Sequence, residues 1–328
     1  MNSNVTIGKL TLPNGGKYEG EIIDGMSNGK GIVKLDSGEK WEGTFINGVP
    51  NGQCKRSWDD GMYIEGVFKN AQPVGDVKLY QPNVGLFEGP LNGRGKCKMT
   101  YPDGSYYIGE CLDKQPDGWG TKVQPGLSES ESEGEWRNGD MHGYFVDKVS
   151  DAFAAQVNAP TGWTDEGIIT QGAMRKWFIK TAANLNGGKP TVIRAADKNF
   201  DIPQEDLPLG IKARLFLGFI DMCKEKFPIA FYGTGSNNSG FSTARAMGNW
   251  SVNEINRQEE EWKSFSEKIL PLPIEQKAEV YYNWLVDEVQ TAESVEEYTA
   301  LAKKFSDISE YKNCAEIAAL ICEQLETK

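Results

Sequence analysis

Hydrophobic and polar residues alternate over the first 146 positions, and glycine interrupts the alternation at regular intervals. The segment 17–31 reads KYEGEIIDGMSNGKG and carries glycines at positions 20, 25, 29 and 31. Alternation is typical of strands, and Asn-Gly or Asp-Gly pairs supply the positive φ angles of tight hairpin turns. The pattern therefore predicts short antiparallel strands joined by hairpins.

The pattern of this stretch occurs six times along the chain. The copies begin at positions 18, 41, 64, 87, 107 and 132 with YEG, WEG, IEG, FEG, YIG and SEG. Five are followed by a turn pair such as Asp24-Gly25; a second turn signal such as NGKG (28–31) comes next, and several copies close with DSG, DDG or PDG. The opening rings are predicted to form ladders across strands, and the glycine two positions later to leave room for a ring over the backbone.

The pattern Y-x-G-x-(aromatic)-x-x-G-x-x-x-G-x-G, with a period of about 23 residues, resembles the MORN repeat over residues 16–146. The resemblance implies an elongated, twisted antiparallel sheet of hairpins that serves as a platform for protein partners, and in some members as a membrane-binding surface. The candidate partner-binding rings are Trp41, Trp58, Tyr80 and Tyr101.

The charge of this region does not favour anionic lipid. Residues 1–146 hold 15 Lys and Arg against 20 Asp and Glu, a net charge of −5. Four lysines could share one sheet face, namely Lys34, Lys55, Lys96 and Lys98, and a solvated face is the simpler interpretation. The whole chain carries 35 basic and 47 acidic residues, a net charge of −12, which argues against nucleic acid.

The middle segment, 147–250, reads as mixed helix and strand. Apolar spacing predicts helices over 166–186 and 209–227, the second one buried, and strands over 191–196 and 229–233. The glycine- and serine-rich loop that follows, GTGSNNSGFSTARAMG (233–248), is the candidate ligand site. Its candidate residues are Gly233, Thr234, Gly235, Ser236, Ser239 and Arg245.

Positions 235–242 match a P-loop except that Phe241 replaces the lysine, so nucleotide hydrolysis is disfavoured and a structural loop or a weak anion site remains. The only histidine, His142, is predicted in a surface turn, which leaves no imidazole for a catalytic triad. The six cysteines have no metal-binding spacing and are expected to be buried free thiols, and neither a metal nor a cofactor is indicated. These features favour a non-catalytic role.

From Ser251 onwards the pattern is helical. The sequences SVNE (251–254) and SVEE (294–297) fit capping boxes, and residues 251–328 carry 17 acids against 8 bases, a net charge of −9. The ending, YTALAKKFSDISEYKNCAEIAALICEQL, resembles the tetratricopeptide-like helical hairpins of Gram-positive bacterial proteins. That resemblance implies a bacterial protein, and the opening residues show no signal peptide, so a cytoplasmic location is expected.

Together these patterns predict an α+β protein with a repeat sheet (1–146), a mixed segment (147–250) and a helical segment (251–328). The favoured function is a scaffold that binds a protein partner through the repeat sheet and through the acidic helices. One alternative is a ligand-binding or enzymatic module in 147–250, with the loop 233–245 as its site. The other is a peripheral membrane protein.

Overall fold

The computed structural model describes residues 5–13, 15–126, 130–156, 164–182, 191–195, 207, 209–232 and 240–326. The chain forms two compact units, Met1–Pro125 and Gly126–Lys328. The first is built of strands and the second of strands followed by helices, so the predicted α+β class is confirmed. The division into three segments stays a prediction.

In the first unit each described strand pairs antiparallel with its neighbour in sequence. The strands are β1 (Thr6–Thr11), β2 (Lys17–Ile23), β3 (Met26–Lys34), β4 (Lys40–Ile46), β5 (Val49–Ser57), β6 (Tyr63–Lys69), β7 (Gln72–Gln81), β8 (Gly85–Pro90), β9 (Arg94–Thr100), β10 (Tyr106–Leu112) and β11 (Gln115–Gln124). The predicted sheet of consecutive hairpins is confirmed.

The hairpin turns follow from the turn pairs of the repeat. Asp24 and Gly25 have φ angles of 52° and 78°, and Asn47 and Gly48 have 50° and 84°. Two successive positive φ angles define the turn whose twist matches that of the flanking strands. The predicted turn chemistry is therefore confirmed at these positions.

The second turn signal was wrongly interpreted in every copy except the fourth, where Asn92 and Gly93 lie in the turn between β8 and β9. Gly29 of NGKG lies inside β3 with a φ of 90°, beside a register shift between Gly20 and Ile22 of β2. The glycine serves a β-bulge, where two extra residues bend the strand without ending it. The side chain of Glu21 lies where a Cβ of Gly29 would be.

Aromatic rings lie directly over glycines in the core of this unit. The hydroxyl of Tyr18 donates to the carbonyl oxygens of Glu21 at 2.8 Å and Lys30 at 3.3 Å. A Cβ on Gly20 would lie 2.7 Å from that hydroxyl, and one on Gly31 would overlap the ring itself. The predicted ring clearance is confirmed.

Ring contacts between neighbouring copies are also confirmed, each between an opening ring and a ring of the next copy. Tyr18 meets Phe45 edge to face with centroids 5.4 Å apart, and Trp41 meets Phe68 in the same way at 5.2 Å. These four residues belong to a cluster of buried side chains on one face of the sheet, together with Val33 and Cys54. The rings and the backbone beneath them thus form a core within a sheet of short strands.

The second unit contains five described strands and seven described helices. The strands are β12 (Ser130–Arg137), β13 (Asp140–Val149), β14 (Thr164–Thr170), β15 (Ala173–Ala182) and β16 (Thr191–Ala195). The helices are α1 (Asp151–Gln156), α2 (Ile211–Lys226), α3 (Gly240–Met247), α4 (Val252–Ile269), α5 (Ile274–Thr291), α6 (Val295–Asp307) and α7 (Cys314–Glu326).

The helix predicted over 166–186 is wrong for residues 166–182, where β14 and β15 form an antiparallel pair, and its last four positions lie outside the described residues. Their turn, Gln171-Gly172, has φ angles of 47° and 70°. It follows Gly167 by four and five positions, as Asp24-Gly25 follows Gly20. The turn of this hairpin thus has the same spacing from its glycine as the first turn of the repeat.

Two other predictions in the middle segment are wrong. Residues 229–232 form turns where a strand was predicted, and α3 lies where the sequence suggested a continued loop. The strand predicted at 191–196 is confirmed as β16 and the buried helix at 209–227 as α2.

Helix α2 is central to the second unit. Phe216, Phe219 and Cys223 are fully buried on it, and it packs against β13 and α5. The ring of Tyr281 from α5 occupies the space beside Gly218, where a Cβ would overlap it. A glycine at this position therefore lets the two helices approach closely.

The four C-terminal helices are confirmed. Ser294 and Glu297 form a complete capping box at α6. At α4 the Ser251 side chain accepts from the backbone of Glu254 as predicted, whereas the Glu254 carboxylate instead pairs with Arg257. Helices α6 and α7 contact each other.

Candidate functional site

The face of the repeat sheet opposite Tyr18 and Trp41 is lined by polar side chains and exposed rings; we call it the open face. One line of paired residues crosses the eleven described strands on this face. We call it the charged row: Lys9, Glu19, Ile32, Glu42, Lys55, Glu65, Lys78, Glu88, Lys98, Ile108 and Thr121.

The charged row neutralises itself. It holds four lysines and four glutamates, and from Glu42 to Lys98 the sign alternates at every strand. Lys9 lies 3.3 Å from Glu19, and Lys78 lies 3.3 Å from Glu88. Opposite charges on directly paired residues stabilise a sheet by a few tenths of a kcal/mol each. The row therefore supports the sheet and carries no net charge.

A second line of paired residues runs beside the charged row on the open face. We call it the tyrosine row: Thr11, Lys17, Lys34, Lys40, Ser57, Tyr63, Tyr80, Leu86, Thr100, Tyr106 and Val123. Its first lysines are consecutive cross-strand partners on β2, β3 and β4, and we call these three residues the lysine end. Its rings lie on β6, β7 and β10.

The tyrosines of this row are accessible and held in place. The rings of Tyr63 and Tyr80 stack with centroids 5.5 Å apart, and Tyr80 is 37% exposed. The ammonium group of Lys55 lies 4.1 Å from the centre of the Tyr63 ring, and that of Lys98 lies 5.3 Å from the Tyr106 ring. Cation–π contacts of this kind orient a ring without covering its whole face.

Two grooves open on this face. A groove of about 550 Å³ lies over β5 to β10, and Glu65, Lys78, Glu88, Lys98 and Ile108 are among its lining residues. A second groove of about 420 Å³ lies over β1 to β3 beside the lysine end. The open face can thus accommodate a chain segment and not only a flat surface.

The four predicted partner-binding rings differ from one another in their location and exposure. Trp41 is 7% exposed and belongs to the core cluster, whereas Tyr80 is exposed on the tyrosine row. Trp58 and Tyr101 are half-buried and stand at the closing turns, where their backbone N–H groups donate to Met62 and Ser105. Their assignment to a partner stays a prediction.

The lysines Lys34, Lys55, Lys96 and Lys98 do share the open face, since all four alternate with core residues along their strands. Tyr63, Leu86 and Tyr106 were not singled out from the sequence. They occupy the position before each opening ring or its equivalent, where the sequence gives only an alternating polar and apolar pattern.

Most of the predicted ligand loop, Gly233 to Ser239, lies outside the described residues. Arg245 lies on α3 and pairs with the carboxylate of Glu259, and its guanidinium also donates to Asn256 at 3.1 Å. Its charge is thus balanced within the chain. The ligand site itself stays a prediction.

His142 is not in a surface turn, and that prediction is wrong. It lies within β13, four positions after Asn138 of the turn pair Asn138-Gly139, and it is 5% exposed. The cysteines are free, as expected, and Cys322 is exposed whereas the other five are buried. Burial raises the pKa of the Cys314 thiol to about 11, so this group stays protonated at neutral pH.

The second unit contains a buried polar network that the sequence did not reveal. The side chains of Tyr144 on β13, Glu166 on β14 and Lys277 on α5 are each less than 10% exposed. The Tyr144 hydroxyl and the Lys277 ammonium group both donate to the Glu166 carboxylate, one to each oxygen. Burial, together with this carboxylate, raises the pKa of Tyr144.

A second carboxylate, the half-buried Glu135 on β12, holds the start of α2. It accepts from the backbone N–H of Tyr144 at 2.8 Å and also from the backbone N–H groups of Ala213 and Lys212. These bonds satisfy donors that every helix start leaves open. Burial nevertheless raises the pKa of Glu135 above its usual value.

Comparison with known families identifies MORN repeats in the chain, at residues 18–40, 41–63, 92–106 and 133–144. The resemblance predicted from the glycine and ring spacing is confirmed for these four segments. MORN repeats in general are modules that bind proteins or membranes. No curated protein matches the chain. Among the described helices, none combines the length and apolarity needed to cross a bilayer.

Proposed function

We propose that the protein is a non-catalytic scaffold that binds a protein partner through the open face of its repeat sheet. The observation that carries this proposal is the tyrosine row. Stacked and partly exposed rings, held by lysines beside a groove of about 550 Å³, are the side chains enriched at protein interfaces. Tyrosine offers a large contact area with few rotatable bonds, so little conformational entropy is lost on binding.

The charged row contributes specificity. Its alternating lysines and glutamates present both signs along the groove, so a partner must match their order. The acidic C-terminal helices are a second candidate surface, and their resemblance to tetratricopeptide-like helical hairpins of bacterial proteins supports this part of the proposal. Six free cysteines fit the cytoplasmic location that we propose for it.

The proposal is tested by site-specific photo-crosslinking. A benzophenone amino acid replaces Tyr80 in the full-length protein, in the cells that naturally produce it. The matched control places the same amino acid at Met247 on α3, which is 62% exposed. We expect a discrete protein adduct from position 80 and little from position 247. Equal yields at the two positions, or none at position 80, would overturn the proposal.

A further inference from the structure

We infer that the partner segment on the open face carries carboxylates that bind the lysine end and apolar or aromatic side chains that bind Tyr63 and Tyr80. This inference rests on the function proposed above and adds the chemistry of the partner. The occupant is a protein segment with an acidic part and an apolar part. The lysine end and the rings belong to the same row of the same sheet.

Repulsion among the lysines of the lysine end destabilises the sheet. Lys17 pairs directly with Lys34, and Lys34 with Lys40, and like charges at paired positions destabilise a sheet. Lys40 is balanced by Glu42 at 2.7 Å. Among the described residues no carboxylate lies within salt-bridge distance of Lys17 or Lys34, and both side chains are exposed. Carboxylates of a partner would remove this repulsion.

The geometry also sets the spacing of the two parts. Lys34 lies on β3 and Tyr63 on β6, three strand intervals apart in one row. Strands are spaced by about 4.8 Å, so Lys34 and Tyr63 are roughly 14 Å apart. In an extended segment this distance corresponds to about four residue steps, so the first ring should follow the last carboxylate with about three residues between them.

An anionic membrane fits this surface less well. Glu19 and Glu42 lie in the charged row, immediately beside Lys17 and Lys40, and would face the same phosphates. Polybasic membrane sites commonly present about four to eight basic residues, whereas the lysine end offers two unbalanced ones. A protein segment can place its carboxylates on the lysines and avoid the glutamates.

The test measures binding of a fluorescein-labelled peptide, Glu-Glu-Glu-Ser-Gly-Ser-Phe-Ile-Phe, to the full-length protein by fluorescence anisotropy. The double variant Lys17→Glu/Lys34→Glu should bind it about tenfold more weakly, since two charge pairs are replaced by repulsions. The matched control, Lys263→Glu/Lys303→Glu, has the same net charge and changes exposed lysines of α4 and α6. It should bind the peptide as the natural protein does.

Further outcomes separate the inference from the proposed function. If Tyr80→Ser weakens binding while Lys17→Glu/Lys34→Glu does not, the inference is overturned and the scaffold function stands. The same holds if the peptide does not bind but position 80 still gives a protein adduct in cells. If the natural protein binds phosphatidylserine vesicles but not the peptide, and the double variant loses vesicle binding, the occupant is a membrane and the inference is wrong.

Discussion

Tyr18 and Tyr107 show how single residues determine the glycine pattern of the repeat. Each ring lies over a pair of glycines on neighbouring strands, Gly20 with Gly31 and Gly109 with Gly120. Each hydroxyl reaches back to a backbone carbonyl, for Tyr107 that of Glu110 at 2.6 Å. The ring fits only because neither glycine has a Cβ atom. Tyrosine and glycine therefore recur together in the sequence.

Replacing Gly31 by alanine should therefore destabilise the sheet. The new Cβ would overlap the Tyr18 ring, and overpacking of this kind costs about 1–3 kcal/mol. The control is Gly8→Ala, whose Cβ meets only the flexible end of Ile22 at 2.9 Å and should cost less than about 0.5 kcal/mol. Chemical denaturation followed by circular dichroism measures both. Equal stability of the two variants would mean that the ring is free to move away.

Lys277 is a residue whose role could not be predicted from sequence. A lysine in a helix normally faces solvent, and Lys277 lies only four residues into α5. Its burial depends on Glu166, which is more than a hundred positions away, and on Tyr144. Pairwise contacts at such separation leave no periodic signal in a single sequence.

The variant Lys277→Met and a double variant built on it test this network. Lys277→Met leaves the Glu166 carboxylate buried without a counter-ion, which should cost about 3–5 kcal/mol of unfolding free energy. Adding Glu166→Gln removes the charge and keeps an acceptor for the Tyr144 hydroxyl, so most of the loss should be recovered. The exposed Lys268→Met serves as the control, with an effect within about 0.5 kcal/mol. A double variant less stable than Lys277→Met would contradict the assigned pairing.

At the scale of elements, the repeat sheet was predictable and the middle segment was not. Turn pairs such as Asp24-Gly25 carry their own backbone preference, so β2 and β3 follow from local sequence. The pair Gln171-Gly172 lacks the asparagine or aspartate that marks the other turns, and the apolar residues around it also fit a helical period. Pairing with β13 decides the outcome, and that is a tertiary interaction.

The candidate site was predictable in part for the same reason. Alternation along the strands identified lysines of the open face such as Lys55, and the ring of Tyr80. It did not show which residues of different strands are paired, because register depends on bulges such as the one at Gly29. The tyrosine row and the lysine end exist only through that register.

The junction between β12 and α2 should give a pH-dependent stability. The raised pKa of Glu135 means that the folded state favours the protonated carboxyl group. Protonated Glu135 therefore stabilises the fold fully below the pKa that it has in the unfolded chain, and this stabilisation is lost as pH rises through its pKa in the folded protein. Glu135→Gln removes this titration. The unfolding free energy of the natural protein minus that of the variant should therefore fall as pH rises from about 4 towards neutrality. A difference that is constant or increases with pH would contradict the direction of the shift.

At the scale of the whole molecule, charge is distributed unevenly. The chain carries a net charge of −12, and residues 251–328 account for −9 of it. The charged row is neutral, and the lysine end is a local basic site on an acidic protein. Long-range attraction to an anionic surface is therefore weak, while short-range recognition of carboxylates at the lysine end is retained.

This distribution predicts the behaviour of the protein with vesicles. The natural protein should stay in the supernatant when phosphatidylserine vesicles are sedimented at physiological salt. Glu19→Lys/Glu42→Lys adds two lysines beside the lysine end, and each basic residue near an anionic surface contributes about 1 kcal/mol, so this variant should sediment with the vesicles. Glu316→Lys/Glu323→Lys on α7 makes the same change in net charge and should not sediment. Salt-sensitive sedimentation of the natural protein would instead identify the open face as a membrane surface.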